Sequence, residues 1–152
     1  QWWECPSGRR VNLSGYEADA YRVYVDFHSR FDHAQAHLQG LNGVRYLPEP
    51  FARQPAAFDF VTMLFPFVSA KDHLQWGLPR ALFAPDQLLA DAWHSLKPGG
   101  LLVIVNQGED EHQAEREMLA AAGIKPLAAF RHASTLYQYD LPRCVLVARR
   151  DE

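Results

Sequence analysis

The sequence predicts an α/β fold: a three-layer sandwich around a mostly parallel sheet with an antiparallel C-terminal edge strand. Three observations carry this. A helical stripe runs into Lys97-Pro98-Gly99-Gly100 and passes at once into the apolar run Leu101-Leu102-Val103-Ile104-Val105. Strand-like and helix-like segments alternate along the chain, the pattern of parallel strands joined by crossover helices. Two strand candidates then follow each other closely at the end, as a reversed pair at one side of a sheet would.

Each element has a local reason. After Cys5-Pro6-Ser7-Gly8, a helix is expected over residues 9–18, with Val11, Leu13 and Tyr16 as its apolar members. Residues 21–26, Tyr-Arg-Val-Tyr-Val-Asp, are β-prone and end in an acid. Residues 29–41 read as a helix closed by Gly40 or Gly43, and residues 43–47 as a short strand stopped by Pro48-Glu49-Pro50. Residues 58–65 form a buried strand ending at Pro66. From Pro66 to Ala84 the pattern is irregular and rich in aromatic residues, and a connection this long usually carries function or covers a site. The next helix places Leu88, Leu89, Ala92, Trp93 and Leu96 on one face. Pro85 suits its first turn and Asp86 its positive end, while a glycine after Lys97 can take the left-handed conformation that ends helices. Residues 101–105 lack polar alternation, so both faces of that strand are covered. A helix over residues 109–122 capped by Gly123, and strands over 124–132 and 143–149, complete the series.

Composition narrows the function classes. With 152 residues, 48% hydrophobic and 22% charged, the chain is expected to be one domain, residues 1–152, with a substantial core. A net charge of −3 leaves no electrostatic footprint for nucleic acid. No apolar run approaches the roughly 18–20 residues of a membrane span, and neither a span nor a signal peptide is expected. Two cysteines make no disulfide framework and favour a reducing, cytoplasmic setting. The first residue is Gln1 rather than methionine, so the chain is expected to lack most of its first strand and whatever lies upstream.

Four places, taken in order, resemble the class I S-adenosylmethionine-dependent methyltransferases, whose domain is Rossmann-like. Residues 21–26 resemble the family's second strand, and the resemblance gives Asp26, followed by Phe27, the place of the acid that holds the ribose hydroxyls. A carboxylate suits vicinal hydroxyls because it accepts two hydrogen bonds. Residues 44–49 are similar to the third strand and its following acid, which implies that Glu49, with Pro50 beside it, contacts the adenine amino group. Residues 58–65 look like the fourth strand, whose end, Leu64 and Phe65, would lie beside the methionine portion. Leu96-Lys97-Pro98-Gly99-Gly100 is similar to the turn before the fifth strand. The resemblance implies S-adenosylmethionine as cofactor and methyl transfer to a small-molecule acceptor, with residues 66–83 serving the substrate.

The front of the chain departs from that pattern. The family's Gly-rich loop lets the backbone approach the cofactor. Here it reads Cys5-Pro6-Ser7-Gly8, with Cys5, Ser7 and Gly8 as the cofactor candidates and Pro6 where a glycine is expected. Only residues 1–4 remain for a central strand, so the loop is either truncated in front or degenerate. This keeps open a second reading, a catalytically inactive domain serving as a binding or scaffolding module. An NAD-linked dehydrogenase on a related sheet ranks below both.

Other candidates yield to plainer accounts. His33 and His37, with His28 nearby, lack a carboxylate at metal-ligand spacing and read as a solvated helix face, so no metal is expected. Asp72 and His73 could hold a general base but read better as a surface pair. Cys5 has no partner base. No residue is assigned a catalytic role, because in-line methyl transfer rests mainly on positioning. No Asn-Pro-Pro-aromatic tetrad, Gly-x-Gly-x-x-Gly, GxxxxGK[ST] or Gly-x-Ser-x-Gly occurs.

Overall fold

Leu13-Ser14-Gly15-Tyr16 makes the first strand, β1 (Leu13–Tyr16), of a computed structural model that describes residues 11–151. The helix expected over residues 9–18 is therefore corrected over its described part. Asn12, Ser14 and Gly15 are poor helix formers, and a partner strand takes up the backbone hydrogen bonds instead. That partner is β2 (Val44–Leu47), parallel to β1 with Leu13 opposite Val44 and Tyr16 opposite Leu47. Gly43 precedes β2 at φ +73°, and a Cβ there would meet the Val11 carbonyl at 2.9 Å. Only glycine fits that approach.

The β-prone residues 21–26 form no strand. They make turns with one isolated antiparallel bridge, Val23 to Ser29. Tyr24 N–H donates to the His28 carbonyl at 2.9 Å, Phe27 N–H donates to Tyr24 at 3.0 Å, and Phe27 takes φ +64°. High β-propensity records how well a side chain fits a paired, half-buried surface. Here Val25 is 98% exposed, and no ladder partner offers that surface. Helix α1 (Arg30–Leu38) follows, opened by a reciprocal capping box between Ser29 and Asp32. These elements belong to the first of two compact units, which ends at Phe51.

The second unit begins at Ala52 and holds a four-stranded sheet in the order β3-β4-β6-β5. Its members are β3 (Phe58–Leu64), β4 (Leu96–Gln107), β5 (Pro126–His132) and β6 (Arg143–Arg149). β3 and β4 run parallel, whereas β6 is antiparallel to both β4 and β5. This sheet is mixed: β3, β4 and β5 run one way and β6 alone runs against them. The reversed strand is also not at the edge: β6 lies between β4 and β5, and β5 forms the edge. The last strand inserts where both of its faces are used, and Cys144, Val145, Leu146 and Ala148 are buried there.

The core follows the pleat. Leu102, Ile104 and Asn106 of β4 stand opposite Ala148, Leu146 and Cys144 of β6, and all six are at most 2% exposed. Helix α3 (Pro85–Ser95) adds Leu89 and Ala92, and helix α4 (Glu109–Ala121) adds Leu119 and Glu115, as fully buried side chains. The residues between, Val103 and Val105, are only half-buried.

Lys97-Pro98-Gly99-Gly100 proves to be an excursion inside β4. Leu96 already pairs with Phe58, and the ladder resumes at Leu101 opposite Phe60. Lys97 Nζ holds both Asp59 carboxylate oxygens at 2.8 and 2.9 Å across that break. Gly99 N–H donates to the Arg150 carbonyl at 2.7 Å, and the Arg150 guanidinium donates to the carbonyls of Trp93, His94 and Leu96 at the end of α3. A cation there meets the negative helix end.

Candidate functional site

In the first unit, parallel pairing brings two acids to the same end of two strands. Glu17 directly follows β1, its N–H donates to the Leu47 carbonyl at 3.2 Å, and Glu49 follows Leu47 two residues later. The Glu17 carboxylate is half-buried and held. Oε1 accepts from the Asp19 N–H at 2.9 Å, and Oε2 accepts from Arg30 Nη1 at 3.1 Å. Arg30 is fixed in turn by the Tyr24 hydroxyl, to which its Nε donates at 3.1 Å. A carboxylate has about four lone-pair sites, so these two bonds leave Glu17 acceptor capacity.

Asp26 occupies a different setting. It lies on the exposed turn before α1, where Oδ1 accepts from the His28 N–H at 3.1 Å and Oδ2 stands 3.0 Å from His33 Nε2. That backbone bond lowers its pKa below the ordinary carboxylate value; desolvation opposes it, and the nearby His33 and His28 rings add to the lowering. Phe27, next to it, is 90% exposed. Glu49 and Pro50 are exposed after β2. Cys5, Ser7 and Gly8 lie outside the described residues.

Sequence reasoning missed Glu17 because residues 9–18 read as helix. The available signal was Gly15-Tyr16-Glu17, a short apolar-ended run closing on an acid, like Tyr46-Leu47-Pro48-Glu49 thirty residues on.

In the second unit, Leu64, Gln107, His132 and Arg143 mark one end of the sheet, since Gln107 and His132 both pair with Arg143 and Leu64 pairs with Val105. Phe65 N–H still donates to Val105 at 2.8 Å, but its φ of +54° turns the chain out of the sheet. A non-glycine residue with positive φ costs about 1–3 kcal/mol and is held there by its surroundings. Phe65 is 44% exposed, and the Arg143 guanidinium lies 5.0 Å from its ring centre.

The connection after Pro66 is more ordered than its sequence suggests, with helix α2 (Ala70–Gln75) and a 3-10 turn at Arg80–Leu82. His73 is buried there. Its Nε2 donates to the Pro79 carbonyl at 2.9 Å, and its ring sits 5.5 Å from Phe67 and 5.3 Å from Phe83. Thus His73 packs the connection rather than forming a surface pair with Asp72. Among the described residues, no group of three or more His, Cys, Asp or Glu side chains could hold a metal ion.

No family model and no curated protein matches the chain. Solved structures do. The 4+2 cyclase SpnF superposes with a TM-score of 0.61 at 16% identity over 93% of this chain and 66% of its own. A putative S-adenosylmethionine-dependent methyltransferase from Listeria monocytogenes gives 0.59 at 11% identity, over 93% and 92%. The 1,6-didemethyltoxoflavin-N1-methyltransferase of Burkholderia thailandensis, with its substrate and S-adenosylhomocysteine bound, gives 0.57 at 16% identity, over 98% and 75%. The chain has the class I S-adenosylmethionine-dependent methyltransferase fold. It spans about half to two thirds of the first three matching structures, at 66%, 54% and 55% of their lengths. At these identities the methyltransferase fold is what is shared. It also carries other chemistry, as the cyclase shows. No helix among the described residues is long and apolar enough to cross a membrane.

Proposed function

We propose that this methyltransferase-fold chain binds S-adenosylmethionine and serves methyl transfer to a small-molecule acceptor. The observation that carries the reading is the pair of acids, Glu17 and Glu49, at the ends of two strands in parallel register. In open α/β sheets, ligands bind outside the carboxyl ends of the strands. Glu17 takes the ribose hydroxyls, which need an acceptor held in place, and Glu49 takes the adenine amino group. Arg30 and the Asp19 N–H position the Glu17 carboxylate without using all its lone pairs. Asp26, the acid expected from the sequence, already serves the turn and His33. Leu64 and Phe65 stay in the reading as lining residues at the strand ends of the second unit, and Cys5, Ser7 and Gly8 as backbone contacts to the cofactor.

When bound, the cofactor supplies an electrophilic methyl group. The chain's part is to hold the acceptor in line and exclude water, a contribution of geometry that needs no dedicated base. The buried, free Cys144 fits the reducing cytoplasmic setting included in this reading. Calorimetric titration with S-adenosylhomocysteine tests it: saturable heat at one site per chain is expected. Absence of heat at millimolar ligand, on the chain as it stands and on one extended upstream, sinks it.

A further inference from the structure

At the sheet end of the second unit, one cation stands among aromatic rings with no acid paired to it among the described residues. Arg143 opens β6, and its guanidinium carbon lies 4.7 Å from the Tyr139 ring centre and 5.0 Å from that of Phe65. Tyr139 is joined by Tyr137 at 5.2 Å and by His132 at 6.1 Å between ring centres. The guanidinium donates to the Leu141 carbonyl at 3.2 Å, and no carboxylate among the described residues forms an ion pair with it. Glu109, the first residue of α4, is engaged by Arg131 and accepts the Cys144 thiol hydrogen.

This arrangement leaves most of the guanidinium's donors open. A guanidinium is normally matched to a carboxylate or phosphate through a planar fork of five N–H donors. Arg143 gives one of these to its own neighbour's carbonyl, and its flat cation is already oriented by two rings. Phe65 and Tyr137 are 44% and 63% exposed, so flat apolar surface remains open beside the charge. Phe65 is held there in its positive-φ conformation.

We propose that Arg143, Phe65 and Tyr139 form the binding site for a planar aromatic carboxylate, the acceptor class of the reaction. Its carboxylate takes the open side of the Arg143 fork, and its ring lies against the exposed aromatic surface. The assignment of this ligand as acceptor rests on the methyl-transfer reading; the site itself does not.

The test uses the full chain without cofactor and three probes: benzoate, its neutral isostere benzamide, and inorganic phosphate. Chemical-shift titration is expected to show benzoate binding at least tenfold tighter than benzamide, with phosphate weaker than benzoate. Arg143→Gln should weaken benzoate at least tenfold and leave benzamide unchanged. Arg143→Lys, which keeps charge but loses the planar fork, should recover only part of it. Equal affinity for benzoate and benzamide in the unmutated chain overturns the site, whatever the variants do. Phosphate binding as tightly as benzoate overturns it too, leaving a bare anion site. S-adenosylhomocysteine is titrated separately. Heat there without benzoate binding rejects this site and leaves the methyl-transfer reading intact, whereas benzoate binding without that heat keeps the site and removes its role as acceptor site.

Discussion

Glu115 on α4 and Asn106 on β4 are both fully buried, and none of their four side-chain polar atoms makes a hydrogen bond of normal geometry. Burial pushes the Glu115 carboxyl up to about 7, with the negative charges of Asp86 and Glu111 adding to it and the Asn106 amide opposing it. His112, on the preceding turn of α4, is held below its ordinary value by desolvation. The neutral acid is therefore the form that packs.

The Glu115 contribution to stability should consequently fall as pH rises. The folded state holds the Glu115 proton to about 7, against 4.5 for the ordinary group. Between those values the folded chain binds more protons than the unfolded one, so raising pH favours unfolding. The stabilising contribution is fully present below 4.5 and gone above about 7, a difference on the order of 3 kcal/mol. Urea unfolding of Glu115→Gln should be flatter with pH across that window than the unmutated chain. Parallel curves for the two proteins would refute the assignment.

Gly99 and Gly100 are adjacent in sequence and should behave differently. A Cβ on Gly100 would meet backbone, the Lys97 carbonyl at 2.9 Å and the Asp59 carbonyl at 3.1 Å. Gly99 has open space around it but φ +78°. Gly99→Ala should cost about 1 kcal/mol for its backbone conformation. Gly100→Ala should cost at least about 2 kcal/mol, because two strands must part. Thermal unfolding with the two variants reversed in order would contradict the packing.

The contrast between these regions explains what could be seen in the sequence. Helix α3 was legible because Leu89 and Ala92 repeat at the period of the surface they bury, and the strand at 101–105 because an unbroken apolar run follows a glycine turn. The swap between residues 13–16 and 21–26 was not legible. Four residues containing a serine and a glycine make a strand only because Val44–Leu47 lies beside them, and pairing of that range is nonlocal. Tyr21, Val23 and Val25 have the stronger propensity, but beyond the single Val23–Ser29 bridge they find no ladder partner among the described residues. The place of β6 between β4 and β5 is likewise a choice of neighbour that no periodicity records. Glu115 reads as one more acid on a polar helix; only its position above Asn106 makes it a core residue. For the site the lesson is sharper, since the missed strand hid Glu17, the acid at its end.

Ser29 should matter more than its size suggests. Its hydroxyl accepts the Asp32 N–H at 3.1 Å, while its own N–H donates to the Asp32 carboxylate at 2.8 Å. Ser29→Ala removes one side of the box and should cost α1 about 1 kcal/mol. Hydrogen exchange in the first turn of α1 should then quicken by about fivefold. Unchanged exchange would mean that the helix start is set elsewhere.

Glu17 and Asp26 can be separated by one pair of variants. Glu17→Gln keeps shape and removes the charge that strengthens hydrogen bonds to hydroxyl groups. It should weaken S-adenosylhomocysteine by about tenfold or more, the equivalent of about 1.5 kcal/mol or above. Asp26→Asn leaves β1 and β2 untouched and should change that affinity less than twofold, while loosening the turn it shares with His28 and His33. Because Glu17 also holds Arg30, each variant's unfolding midpoint is measured beside its affinity. Arg30→Gln serves as the control: it removes the partner but keeps the carboxylate, so cofactor affinity should survive better than in Glu17→Gln. If Asp26→Asn is instead the damaging change, the ribose acid lies on the turn before α1, and the strand-end pairing of Glu17 with Glu49 is structural alone.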